Sequence, residues 1–377
     1  MSAELEIVLI AVVTAVAAAL PGAFLVLRRV AMVSDAISHA ILPGIVVAFF
    51  LTRDLASPLL ILAAAATGVL TVALIEAFTR SGLVQEDAAI GLVFPALFSI
   101  GVVLISRWAG DVHLDTDAVL LGELAFAPFD RLVVAGIDLG PRSLWMMGGI
   151  LLVDLVFLGL LFKELKLATI DPQLAAALGF SPVLIHYGLM TVVSVTAVGA
   201  FSAVGSILVV ALMIAPGATA YLLLDRFGPM LAATAAVAAG SAVAGCAGAF
   251  LLDVSIAGAI ATVCGLVFAA VFLLAPRRGL IAQVRRRTAQ RLDFASRMLL
   301  VHILHHEGGP EAKVENAPEN LPHHLGWRES FSTRVVRRTL AAGLTEHADG
   351  LLQLTYLGRR QASRDLSGLG PARRAEG

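Results

Sequence analysis

Residues 33–44 read V-S-D-A-I-S-H-A-I-L-P-G, so Asp35 and His39 stand inside a stretch that is otherwise almost wholly apolar. The spacing is i, i+4, which on a helix puts both side chains on one face, one turn apart. A carboxylate and an imidazole are costly to hold in a bilayer, and they persist there where they pair or serve a function. Together they offer an oxygen and a nitrogen to a divalent transition metal. The same two groups could also satisfy each other as a structural pair inside a helix bundle.

The rest of the chain supplies the bilayer. Of 377 residues 58% are hydrophobic and 15% charged, against about 25% charged in soluble domains, and the mean hydropathy is +0.88. Charge is divided unevenly along the chain. Residues 277–377 hold 17 of the 27 Lys and Arg and 10 of the 28 Asp and Glu, a net of +7. The first 276 residues, with 10 basic and 18 acidic, carry −8. The chain therefore reads as residues 1–279 in the membrane, a small soluble domain over 284–366, and a tail at 367–377. Cys246 and Cys264 lie in apolar runs with no spacing that suggests a disulfide framework or zinc knuckle. The first apolar run follows Glu4 and Glu6 rather than a basic segment, so it is expected to be a retained span and not a cleaved signal.

A helix needs about 20 apolar residues to cross the hydrocarbon core. Eight to nine spans meet this, at roughly 5–27, 30–51, 57–78, 88–106, 144–162, 184–203, 205–224, 229–252 and 255–275. Gly199 and Gly205 leave open a broken or re-entrant path over 184–224. Arg28 and Arg29, Arg80, Lys163 and Lys166, and the arginine-rich tail fall on one side, which places the N-terminus outside and the C-terminus in the cytoplasm. Gly240, Gly245, Gly248 and Gly258 are expected to let helices approach closely. Asp154 falls mid-span, as a pathway residue or a packed carboxyl. His113, Asp115, Asp117 and Glu123 are expected outside, solvated or meeting an external partner.

The loop after the fifth span contains D-P-Q-L-A-A-A-L-G. Asp171 suits an N-cap, Pro172 the first helical position and Gly179 the residue past the end. A capped helix on the cytoplasmic face is an element that a partner can push on, or simply a connection. In the soluble region, three helical stretches precede a strand, an Asp349-Gly350 turn and a second strand, the order of a winged helix-turn-helix. Arg334, Arg337 and Arg338 share one face of its last helix, for contact with nucleic acid, anionic lipid or a partner subunit. His302, His305 and His306 fall at helical spacing, as metal ligands or as solvated side chains.

These stretches resemble the permease subunits of ABC importers for zinc, manganese and iron. The resemblance rests on Phe24 to Gly44, V-H-L-D-T-D-A-V-L-L-G-E-L at 112–124, the 163–179 loop, and V-G-S-I-L-V-V-A-L-M-I-A-P-G-A-T-A at 204–220. The tail resembles the winged-helix domain of diphtheria-toxin-repressor-like metal regulators. The resemblance implies a metal site at Asp35 and His39, doubled where two permease chains pair as a homodimer or with a sister permease. It also implies a coupling helix made by Asp171, Pro172, Leu174, Leu178 and Gly179, docking on a separate cytoplasmic ATPase, and an external metal-binding protein that delivers the ion. No G-x-x-x-x-G-K-[ST] phosphate loop occurs in the chain, in keeping with that division of labour.

The reading is thus an all-α polytopic membrane protein with a small cytoplasmic winged-helix α+β domain. It is not itself an enzyme and holds no permanent cofactor. It carries a divalent ion, Mn²⁺ first with Zn²⁺ or Fe²⁺ as alternatives, the regulator-like tail favouring manganese or iron. Two other classes stay open: a membrane-anchored, metal-responsive transcription regulator and an ion-coupled secondary carrier. Nine spans exceed what an anchor needs, and no convincing internal repeat points to a secondary carrier.

Overall fold

A computed structural model describes residues 2–53, 57–108, 124–134 and 137–368. Much of 112–124, with His113, Asp115, Asp117 and Glu123, lies outside the described residues, as does nearly all of the 367–377 tail. The chain divides into Met1–Gly279 and Leu280–Gly377.

In the first unit the helices are α1 (Ala3–Arg28), α2 (Met32–Ala40), α3 (Leu42–Thr52), α4 (Pro58–Arg80) and α5 (Glu86–Trp108). A hairpin of β1 (Arg131–Val134) and β2 (Ile137–Pro141) follows. Then come α6 (Arg142–Leu160), α7 (Phe162–Ile170), α8 (Pro172–Ala177), α9 (Pro182–Val204), α10 (Ser206–Leu223), α11 (Phe227–Leu252) and α12 (Ile256–Leu274). Among the described residues nine helical spans are long and apolar enough to cross a membrane, α2 and α3 together making the second. The 184–224 stretch forms two helices of 23 and 18 residues joined at Gly205, whose φ of 82° is open to glycine at little cost. The short β-hairpin was not foreseen, because four- and five-residue strands in a polar loop give little periodicity to read.

Helix α1 is the centre of this unit, packed against α6, α9, α10 and α11. In a bilayer, helices associate through close packing rather than hydrophobic transfer, so small residues decide where backbones meet. A Cβ on Gly22 would come within 2.1 Å of the Met213 carbonyl oxygen, and one on Gly217 within 3.0 Å of the Ala23 Cα. The crossing of α1 with α10 therefore runs through two Pro-Gly pairs, Pro21-Gly22 and Pro216-Gly217. Of the glycines expected to serve this purpose between 231 and 265, Gly245 does, its Cβ direction filled by the Ile260 backbone at 2.5 Å. Gly240 and Gly248 face open space and Gly258 has only ordinary contacts, which corrects the expectation for those three.

The loop ends sort into two groups. At one end Glu6 meets Arg131 at 3.3 Å, and Arg131 also bonds Asp138. The Gly140 N–H, with the Arg131 guanidinium, holds the Asp138 carboxyl below its ordinary pKa. At the other end Arg277 and Arg278 meet Asp225 at 2.8 and 2.7 Å. Between them Asp154 on α6 is 1% exposed and accepts from the Thr196 hydroxyl on α9, at 3.1 and 3.0 Å to its two oxygens. The carboxyl is a packed inter-helix contact.

The second unit has its own core. It is built from α13 (Leu280–His306), α14 (Ala312–Glu315), α15 (Leu321–His324), α16 (Glu329–Ala341), β3 (Thr345–Ala348), β4 (Leu351–Leu354) and α17 (Tyr356–Gly368). Ala295, Leu299, Leu300 and Ile303 line one face of α13 and pack with Leu321, Val335, Leu352 and Ala362. Asp349 and Gly350 have φ of 52° and 77°, the two positive values that a tight right-twisting hairpin turn requires. Sequence reasoning missed α14 and α17; the latter starts where Thr355 Oγ1 accepts from the Gly358 N–H at 3.1 Å.

Two outcomes are expected from this packing. Gly22→Ala and Gly245→Ala should each cost about 1–3 kcal/mol through overpacking, lowering thermal stability in detergent, while Gly240→Ala and Gly248→Ala should not. Asp154→Asn should retain stability, because its amide oxygen still accepts from Thr196, whereas Asp154→Ala should lose roughly 1–3 kcal/mol; melting curves of the two variants separate them.

Candidate metal centre

The D-A-I-S-H run begins the second span immediately after the turn at Arg29, whose φ is 64°. Helix α2 turns its apolar and small side chains inward: Val33, Ser34, Ala36, Ile37, Ser38 and Ala40 are all buried. The two serines spend their hydroxyls on the helix itself, Ser34 donating to the Ala31 carbonyl and Ser38 to that of Ser34. Asp35 and His39 stand on the remaining face with Met32, which is 55% exposed. The side chains of Asp35 and His39 are 38% and 30% exposed, and Nε2 of His39 lies 3.6 Å from Oδ1 of Asp35. The imidazole packs beside Phe94 of α5, with ring centroids 5.8 Å apart. So the structure brings the two residues together on a face that α5 covers in part and that is left about one-third exposed among the described residues.

Why the span breaks here follows from Pro43. The His39 carbonyl would accept from the N–H of residue 43 in a continuous helix, and proline has none. α2 ends at Ala40, α3 starts at Leu42, and Pro43 occupies the first turn of the new helix. Gly44 then lets α3 close on α4, since a Cβ there would lie 2.2 Å from Thr67 Oγ1 and 2.5 Å from the Ala63 carbonyl oxygen. Sequence reading took 30–51 as one continuous span; the break beside the histidine is the part it missed, although L-P-G is its signal.

At the Arg28 end of α1 a second polar cluster was also missed. Glu76 on α4 lies 2.9 Å from His186 Nε2 and accepts from the Tyr187 hydroxyl at 2.8 Å and from Arg80 at 3.1 Å. Arg28 reaches His186 Nδ1 and Thr169 Oγ1, both at 3.1 Å. Glu76, Glu86 and His186 also line a cavity of about 260 Å³ whose wall includes Val30 and Val33, at the base of α2. The sequence signal was spread over positions 28, 76, 169 and 186, with no motif to join them.

Next to this cluster lies the capped helix. The Asp171 side chain accepts from the N–H groups of Gln173 and Leu174, at 3.1 and 2.9 Å, and Gly179 has φ of 87°. Pro172 is at the first turn, and Leu174 and Leu178 stand 47% and 60% exposed. A short rigid helix thus presents two leucines outward. In the second unit Arg334, Arg337 and Arg338 do share the exposed face of α16. Arg338 is paired with Asp293 at 3.3 Å, and Arg334 lies over the Phe331 ring at 5.8 Å.

Comparison with known proteins gives the family. Residues 4–275 match the model of the ABC 3 transport family. The chain is 47% identical over 354 residues to the zinc transport system membrane protein TroD of Treponema pallidum, covering 94% of this chain and 96% of that protein. That match is longer than the first unit, so it takes in much of the second. The manganese transport system membrane protein MntD of Bacillus subtilis is 45% identical over 286 residues, 76% of this chain and 97% of the relative. Among solved structures, PsaBC from Streptococcus pneumoniae in complex with Fab aligns over 74% of this chain and 94% of its own, at 26% identity and a TM-score of 0.61. The nine spans, the match across nearly all of them and these relatives agree: the chain belongs to the ABC 3 transport family, as a membrane permease subunit that works with a separate ATPase and is not itself an enzyme.

Proposed function

We propose that this permease carries a divalent first-row transition metal inward across the plasma membrane, and that Asp35 and His39 hold the ion in passage. The observation that carries the reading is the Asp35–His39 pair on the partly exposed face of α2. An acid and an imidazole 3.6 Å apart in a membrane span, 38% and 30% exposed, need a partner. Metal–ligand bonds of about 2.1 Å set neighbouring ligands roughly 3.0–3.4 Å apart, so small side-chain shifts let both groups bind one cation. A second permease chain, the same or a sister, laid against this face would cover it and raise the set to four nitrogen and oxygen ligands. No thiolate is present to fix a soft ion tightly, which suits a site that must also let its cargo go.

The relatives are named for zinc, manganese and chelated iron, and the chemistry of the pair suits all three. The regulator-like tail favours manganese or iron. The N-terminus is placed outside and the C-terminus in the cytoplasm, since the odd number of spans and the positions of Arg28, Arg80, Lys163 and Arg277 agree on it. Asp171, Pro172, Leu174, Leu178 and Gly179 then form a cytoplasmic helix that docks on the ATPase, and an external binding protein delivers the ion on the opposite side. The second unit has helices followed by a hairpin in the order of a winged helix, and we assign it that arrangement without a nucleic-acid role, since its matched relatives are transport proteins.

Asp35→Asn and His39→Ala should each reduce uptake of radioactive manganese or zinc at least tenfold in cells, with normal amounts of the complex in the membrane. Near-normal uptake by both variants removes the site. Separately, Leu174→Glu and Leu178→Glu should reduce co-purification of the ATPase; an unchanged pull-down ends the coupling role of this helix.

A further inference from the structure

The last turns of α13 carry His302 and His306 at i, i+4, with ring centroids 4.8 Å apart. The chain reverses at Gly308, whose φ is 79°, and α14 brings Glu315 back over the two rings. Nitrogen atoms of both histidines and a carboxylate oxygen of Glu315 all lie within 4.8 Å of one another. Helix α15 adds a fourth group, with His324 Nδ1 3.2 Å from Glu315 Oε2. His302 Nε2 is 3.6 Å from that same oxygen. The four side chains are 12–30% exposed, sheltered yet within reach of an ion.

We propose that the second unit holds its own divalent-metal site, formed by His302, His306 and Glu315 with His324 beside them, for a cation of the zinc, manganese or iron(II) class. Imidazole and carboxylate select these ions over calcium or magnesium, which favour all-oxygen shells. Tetrahedral ligands on zinc stand roughly 3.4 Å apart, so the present spacing closes with shifts of about an ångström. His302 Nε2 also lies 3.2 Å from the Glu315 carbonyl oxygen. A metal taken through that nitrogen replaces this hydrogen bond, the neutral ring then carrying its proton on Nδ1. The ligands come from α13, α14 and α15, so a bound ion ties together the connection ahead of the arginine-bearing helix α16. The site shares no residue with the Asp35–His39 pair. Its use as a sensor of delivered cargo rests on the import reading, whereas its existence does not.

The test uses the full chain in lipid nanodiscs, carrying Asp35→Asn and His39→Ala so that the second unit is read alone. Titration with Co²⁺, followed by its ligand-field absorption and by displacement with Zn²⁺, should show one saturable equivalent per chain at micromolar concentration. His302→Ala and Glu315→Gln should weaken it at least about 100-fold, beyond the loss seen when only an outer partner is removed. Glu315→Gln preserves shape and a hydrogen-bonding oxygen, so equal melting curves exclude misfolding as the cause. His305→Ala, a neighbour outside the set, should stay within about twofold. Absence of a saturable equivalent, or equal binding by His302→Ala and Glu315→Gln, overturns the proposal. Loss of uptake in the Asp35 and His39 variants is a separate result that bears on the import reading alone.

Discussion

Hydrocarbon offers no hydrogen bonds, so a chain that crosses it must satisfy its own peptide groups, and the α-helix is the form that does so within one segment. That constraint sets the architecture of the first unit, with nine helical spans among the described residues. Three Pro-Gly dipeptides mark places where a helix gives up a backbone hydrogen bond. At Pro21-Gly22 and Pro216-Gly217 the proline withholds an N–H and the glycine admits a neighbouring backbone, so the weak points of α1 and α10 become their contact. At Pro43-Gly44 the same pairing ends α2 and presses α3 on α4.

The third of these lies beside the polar pair. Because Pro43 cannot cap the His39 carbonyl through the usual helical bond, the span is broken at the position where an imidazole and a carboxylate are displayed. A continuous helix would hold Asp35 and His39 on one face as well. Both halves of the span pack on α4 and α5, and α2 also meets α9 and α10 through its buried face. The carboxylate and imidazole thus stand on the side of α2 that its buried packing leaves partly exposed.

Much of this was legible in the sequence. The nine spans follow from run length and hydropathy, and the Asp171 cap, Pro172 and the left-handed Gly179 follow from local rules that tertiary packing did not override. The Asp349-Gly350 turn was legible for the same reason. What escaped depends on distant partners. Gly240 and Gly245 are the same residue five positions apart in one helix, and only the approach of Ile260 makes one of them indispensable. Glu76 stands near the end of an apolar run, and nothing local says that His186, Tyr187 and Arg80 gather on it.

The cluster around Glu76 lies beside the capped helix. Arg28 joins the end of α1 to Thr169, two residues before the Asp171 cap, and to His186 on α9, which bonds Glu76 on α4. The cavity beside it is bounded by Val33 on the first turn of α2. The cluster therefore connects α7, just ahead of α8, to the spans α1, α4 and α9 and borders the foot of the helix bearing Asp35 and His39. Charge-assisted hydrogen bonds are short and directional, and they hold geometry more firmly than contacts between apolar side chains. This polar network sits at the end of the bundle where the leucines of α8 stand exposed.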